Sequence, residues 1–314
     1  MGEPKARATG HIIAVGGGKG GVGKTLVTAN VAVELARRGK KVLVVDGDLG
    51  GANLHTALGV DPPRATLSDV LFEGARLSDV AAETRIANLS LVSGAFDDPN
   101  VANPKHQEKM RFIRHLHDAD CDVLLVDLGA GTAFNTIDLF LVADDGVLVV
   151  VPEPTSIENA YRFLKAAFLR RLKVIERGLG AHDVITKAIA ARGARALRSP
   201  LDLVRLVGAH DAELGAEIEK QLSQFRPRLI LNQVHDGEGG DERVVATDMA
   251  SASRRFFGVH LDVLGVLPSD PEVRRALKAR TPLVVHAPQS AFSVELRGVV
   301  DRLTSTHFVA GQAA

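Results

Sequence analysis

A mostly parallel α/β sheet with helices on both faces is what this 314-residue sequence predicts. Three observations carry that expectation. Short apolar runs recur without polar alternation, as strands covered on both faces require. Helical patterns of ten or more residues separate those runs. A glycine-rich loop joins the first run to the first helix.

Taken in order, residues 12–15 (Ile-Ile-Ala-Val) open the chain's regular structure as a buried strand. The helix that follows the glycine loop is expected from about Lys24 to Arg38. Leu26, Ala29, Val33 and Ala36 recur there at helical spacing, and Gly39 supplies the stop. Residues 42–45 form the next strand, and 89–92, 123–126, 147–151, 229–231 and 263–267 read the same way. From 155 to about 225 the alternation stops. Thr155-Ser156-Ile157-Glu158 fits a capping box, and Ile157, Tyr161, Leu164, Phe168, Leu172 and Ile175 form an apolar stripe ending near Gly178. Helical patterns follow over 182–192 and 200–225. This predicts a helical insertion near 155–225 within one domain spanning 1–314, without linker or repeat.

Composition narrows the function classes. Lys plus Arg number 38 against 38 Asp plus Glu, and 46% of residues are hydrophobic. Balanced charge and high hydrophobicity exclude disorder as the dominant state. They also exclude a surface that coats nucleic acid on every side. The single cysteine, Cys121, allows neither an internal disulfide nor a CxxC pair. The first ten residues lack the apolar core of a secretory signal. Apolar runs such as 147–151 are far too short to cross a bilayer. These features lead us to expect a cytoplasmic protein, peripheral at most to the inner face of the membrane. His55, His115, His117 and His182 show no metal-ligand spacing and read as structural.

The loop runs Gly16-Gly17-Gly18-Lys19-Gly20-Gly21-Val22-Gly23-Lys24-Thr25. From Gly18 it satisfies GxxxxGK[ST], the phosphate loop. Gly18, Gly20, Gly21, Val22 and Gly23 let backbone N–H groups curl around an anion, and the helix N-terminus adds its dipole. Lys24 would reach the β- and γ-phosphates, and the Thr25 hydroxyl would ligate Mg²⁺. The same letters satisfy GxGxxG, the dinucleotide fingerprint, and Asp46 or Asp48 stands near the spacing of its ribose carboxylate. The Lys24-Thr25 pair decides for a triphosphate with Mg²⁺, which needs both. Asp46 and Asp48 end the second strand and Asp127 ends the strand at 123–126, so all three carboxylates fall on the loop's edge of the sheet.

With Lys19 the loop reads KGGVGKT, and this resembles the deviant phosphate loop of the MinD/ParA superfamily, of SIMIBI type. Asp46-Gly47-Asp48-Leu49-Gly50-Gly51-Ala52-Asn53 is similar to the corresponding segment of its FlhG (FleN) and MinD branch, as are Asp127-Leu128-Gly129-Ala130-Gly131 and Pro154-Thr155-Ser156-Ile157. Asn232 matches the family's adenine-contacting Asn, and Pro268 begins the segment beside the adenine. The resemblance implies an ATP- and Mg²⁺-dependent ATPase. In it Lys24 and Thr25 hold phosphates and metal, Asp46 and Asp127 support the metal, and Asp48 positions the attacking water. Lys19 would cross a face-to-face homodimer to the partner's nucleotide, so hydrolysis is slow until dimerisation. The family's output is spatial placement, of flagella, cell pole or division site, through a protein partner.

Departures bound the resemblance. The ten residues before the first strand hold no FlhG-type partner motif. The C-terminal stretch, with Val294, Val299, Val300 and Leu303 as a stripe, carries only Arg297 and Arg302 beside two acids. A packed helix with weak membrane contact at most is therefore expected. Cys121 alone excludes the paired cysteines of the iron–sulfur members. Residues 162–205 hold eleven basic side chains (Arg162, Lys165, Arg170, Arg171, Lys173, Arg177, Lys187, Arg192, Arg195, Arg198, Arg205) against three acids, an excess of eight. A protein or membrane partner is ranked above DNA for that surface. The alternatives are a ParA-like DNA-partition ATPase that uses this insertion, and a phosphate-loop metabolic enzyme that activates a carboxylate.

Overall fold

The computed structural model describes residues 9–48, 51–94, 106–192, 199–235, 242 and 244–305. Its elements run β1 (His11–Gly16), α1 (Lys24–Arg37), β2 (Val42–Gly47), α2 (Leu54–Leu58), a π-helical turn (Asp69–Glu73), α3 (Leu77–Val80), β3 (Ala82–Glu83), β4 (Leu89–Val92), α4 (His106–Asp118), β5 (Val123–Leu128), α5 (Phe134–Val142) and β6 (Asp145–Val150). Then come α6 (Pro154–Gly178), α7 (His182–Arg192), α8 (Pro200–His210), α9 (Ala212–Leu222), β7 (Arg228–Val234), α10 (Val244–Phe257), β8 (Asp262–Pro268), α11 (Glu272–Lys278), α12 (Leu283–His286) and α13 (Ala291–Ser305). Leu49, Gly50, Arg195 and Arg198, and the side chain of Arg192, lie outside the described residues.

The strands form one sheet in the order β3-β4-β2-β5-β1-β6-β7-β8. Every pairing is parallel except β3 with β4. β3 has two residues, too few to leave a sequence pattern. Side-chain alternation sends each strand's neighbours to opposite faces. Ile12, Ala14, Leu124, Val126, Leu148 and Val150 face α4 to α6 and α8 to α10, while Ile13, Val15, Val123, Leu125, Val147 and Val149 face α1, α2, α12 and α13. Two cores explain why the strands read as unbroken apolar runs.

The insertion is α6 to α9, and no strand interrupts it among the described residues. Two local expectations are corrected. Helix α6 begins at Pro154 with Glu153 as its cap residue, so Thr155 and Ser156 already lie inside the first turn and form no capping box. The Ser156 hydroxyl instead accepts from the Val151 N–H at 3.1 Å, tying the helix start to the end of β6. The single helix expected over 200–225 is two. The chain breaks at Asp211, whose side chain accepts from the Leu214 N–H at 3.0 Å and starts α9. The pair then cross at glycines, since a Cβ on Gly215 would fall 2.4 Å from the Gly208 Cα.

Helix α13 packs on β8 and α1 through Phe292, Leu296, Val299, Val300 and Leu303, all buried. Val294, expected on that stripe, is instead 47% exposed. No helix among the described residues is long and apolar enough to cross a membrane.

Candidate nucleotide site

Strand β1 lies between β5 and β6, and its chain leaves the sheet at Gly16 to enter α1. Open α/β sheets bind ligands at such carboxyl strand ends. Gly21 and Gly23 take φ of +78° and +90°, the left-handed region that only glycine enters freely. Gly18 has a different need: a Cβ there would meet the Asn159 carbonyl oxygen at 2.1 Å, because α6 packs on the loop. Helix α1 has no side-chain cap. Its first N–H groups are left for an anion, which the dipole also favours.

Lys24 is buried, and its Nζ lies 3.4 Å from the Lys19 carbonyl oxygen. Burial lowers its pKa, opposed by Asp127 and Asp48. Asp46 and Asp127 face each other in register across β2 and β5, 0% and 1% exposed. Burial, and then Asp127, push the Asp46 carboxyl up to about 7. Burial pushes Asp127 up to about 6, against hydrogen bonds from Thr25 and Thr28. The Thr28 hydroxyl lies 3.0 Å from Asp127 Oδ1. Asp46 also accepts from the Leu54 N–H at 2.9 Å and the Asp48 N–H at 3.2 Å. Asp48 is half-buried, its carboxylate beside Gly129. Thr25, Asp46 and Asp127 thus present oxygen donors only, the set a hard cation such as Mg²⁺ accepts.

Those carboxylates give a pH signature. Folded Asp46 and Asp127 hold protons that ordinary carboxylates release near pH 4, so their contribution to apo stability falls as pH rises from about 4 through 7. A divalent cation beside them favours the charged forms and expels the protons. Binding of Mg²⁺ with nucleotide should release about one proton at pH 6 and almost none at pH 8.5. Calorimetry in buffers of differing ionisation enthalpy reads this directly; equal release at both pH values would refute it.

Asn232 lies two residues before the end of β7 and Pro268 ends the adjacent β8 on the same edge, where Val234 pairs with Pro268. Asn232 is buried and donates to the Val22 carbonyl at 2.8 Å. The Lys19 ammonium lies 2.8 Å from Glu153 and 3.1 Å from the Thr155 hydroxyl, at the start of α6. Sequence reasoning missed Thr28, Glu153 and also Gln233, whose side-chain amide donates to the Gly21 carbonyl at 3.3 Å. Thr28 sits one helical turn from Lys24, a spacing that could have found it. Glu153 had only its place after a strand as a signal.

The basic excess of the insertion divides. Arg170 is bound by Asp138 at 2.6 and 3.0 Å, Arg162 by Glu158 and Arg205 by Asp202. Arg162, Lys165, Lys173 and Arg177 share the outward face of α6 with Leu169, and Val174 beside them is 55% exposed. A hollow of about 650 Å³ lies at the opposite edge of the sheet beside Lys41, Arg76, His115 and Cys121. Its cations are engaged by Asp120 and Asp79. Among the described residues that hollow therefore offers an anion no unpaired Lys or Arg, whereas the loop offers backbone N–H groups at a helix start.

A family model described as a ParA-type "NUBPL iron-transfer P-loop NTPase" matches residues 8–177, more than half of the chain. The chain belongs to the ParA family of P-loop NTPases. The antiactivator FleN of Pseudomonas aeruginosa is 27% identical over 297 residues, 94% of this chain and 86% of FleN. An iron-sulfur cluster carrier protein of Mycobacterium bovis is 28% identical over 94% of this chain and 65% of its own length. Among solved structures, the septum site-determining protein MinD of Pyrococcus horikoshii, complexed with Mg-ADP, superposes with a TM-score of 0.62 at 27% identity. It covers 96% of this ParA-family chain and 98% of MinD.

Proposed function

We propose that the chain is an ATP-driven switch of the MinD and FlhG kind, binding ATP with Mg²⁺, dimerising, and hydrolysing slowly to release the dimer. The observation that carries this reading is Lys19. A lysine in a phosphate loop is placed to touch its own nucleotide, yet this one is tethered to Glu153 and Thr155 on the rim. A monomer so arranged lacks one cation for the charge that develops in phosphoryl transfer, and a facing copy can supply it in trans. Lys24 and Thr25 would hold the phosphates, with Gly18, Gly20, Gly21, Val22 and Gly23 donating backbone N–H groups. Asp46 and Asp127 would support Mg²⁺, which neutralises phosphate charge. Asp48 would orient water, and Asn232 and Pro268 would border the adenine.

The output would be placement of a cellular structure through a protein partner, for which the cationic outer face of α6 is the available surface. That face belongs to the same helix whose first turn holds Lys19. Iron–sulfur transfer is disfavoured, because the single cysteine is buried at the edge away from the loop, its thiol pushed up by burial to about 12. Light scattering decides the main reading. ATP with Mg²⁺ should double the mass and ADP should not; a monomer in both would sink the switch model.

A further inference from the structure

We infer that Gln233 is a positioning residue for the phosphate loop, aiming the N–H groups of Val22 and Gly23 from behind. The inference rests on the nucleotide reading above and deepens it. Gln233 has φ +56°, a left-handed conformation that L side chains avoid. The pairing of β7 with β8 shifts register between Leu231 and Val234, at the same place. Such strain persists only where surrounding contacts hold it, and it gathers at functional sites.

The conformation has a specific consequence. In a regular strand, consecutive side chains point to opposite faces. Here the turn at Gln233 lets two consecutive amides reach one loop. Asn232 Nδ2 donates to the Val22 carbonyl at 2.8 Å, and Gln233 Nε2 donates to the Gly21 carbonyl at 3.3 Å. Those carbonyls are the outer side of the phosphate loop. Described peptide bonds are all trans, and in a planar trans peptide the C=O of one residue opposes the N–H of the next. Holding the Gly21 and Val22 carbonyls toward β7 therefore turns the Val22 and Gly23 N–H groups the other way, into the hollow that would take the anion. Gly23 fits the same account. A Cβ there would fall 2.4 Å from Asn232 Nδ2 and 3.7 Å from Gln233 Nε2, so loop and clamp are shaped for each other. Asn232 already has a family role beside the base. Gln233 adds a contact to the loop that acts on phosphates without touching them.

The test uses the full chain with Gln233→Gly and Gln233→Ala. Glycine removes both the hydrogen bond and the strain, whereas alanine removes the bond and keeps the strain. Losing one such bond should raise the Kd for Mg²⁺-ADP about three- to tenfold in both variants. Inorganic pyrophosphate should weaken by the same factor, because it has no base for β7 to touch. The melting temperature of nucleotide-free Gln233→Gly should not fall. A rise below threefold overturns the inference. So does a loss with ADP that pyrophosphate does not share, which would move Gln233 to the adenosine end, or a drop in melting temperature that tracks the lost affinity. Wild-type protein that binds neither ADP nor pyrophosphate overturns the nucleotide reading itself, and this inference with it.

Discussion

Lys24→Ala is expected to abolish nucleotide binding while leaving the apo fold intact. The ammonium is the one buried cation of the loop, and its pKa is lowered because burial costs it more than Asp127 and Asp48 return. A cation kept in such a place is stabilised fully only by an anion that arrives later. Charge-assisted hydrogen bonds to phosphate are worth more than neutral ones, and here they form in a partly desolvated setting. Their loss should raise Kd for ADP and ATP on the order of 100-fold or more. Apo stability should change little, because the substitution deletes an unfavourably buried charge together with its aliphatic stem. Titration calorimetry and thermal melting separate the two effects. Retained affinity within tenfold of wild type would refute the phosphate-loop assignment; a collapse in apo melting would move Lys24 from binding to folding.

The readable parts of the site were those set by local chemistry. Gly21 and Gly23 stand where the backbone turns left-handed, and only glycine makes that inexpensive. Asp46 and Asp127 each follow an apolar run, so the strand ends placed them on one edge before their register was known. The less readable parts depend on who becomes whose neighbour. Lys19 and Glu153 are 134 residues apart, and they meet because β6 enters the sheet beside β1. Gln233 reaches the loop through a register shift that no residue pattern announces. Arg170 looked like part of a basic surface until α5 supplied Asp138 beside it. The break between α8 and α9 was legible in principle. Asp211 precedes a helical run and caps it, but two glycines in a helical pattern concealed the crossing they permit.

The largest catalytic effect should come from Asp48→Ala. Asp48 follows β2 directly, and its backbone N–H is fixed by Asp46. Its carboxylate is half-buried and adjoins Gly129, where a Cβ would lie 3.0 Å from Oδ1. It is the most accessible of the three carboxylates on this edge, and so the one a water can reach. Removing it takes a negative charge from beside Lys24 but no group that would hold the phosphates, so ATP affinity should be kept. Hydrolysis should fall about 100-fold, the lower range for loss of a positioned base. Because release of the dimer depends on hydrolysis in the proposed cycle, the variant should accumulate as an ATP-bound dimer that outlasts wild type in light scattering. Asp48→Asn sharpens the reading. It keeps the shape and can orient water but cannot take a proton, so similar loss in both variants assigns Asp48 the base role, and substantial activity in Asn alone assigns it orientation. If Asp48→Ala hydrolyses at the wild-type rate, water activation lies elsewhere. If it binds ATP yet stays monomeric while wild type dimerises, Asp48 belongs to the interface, and hydrolysis does not gate release.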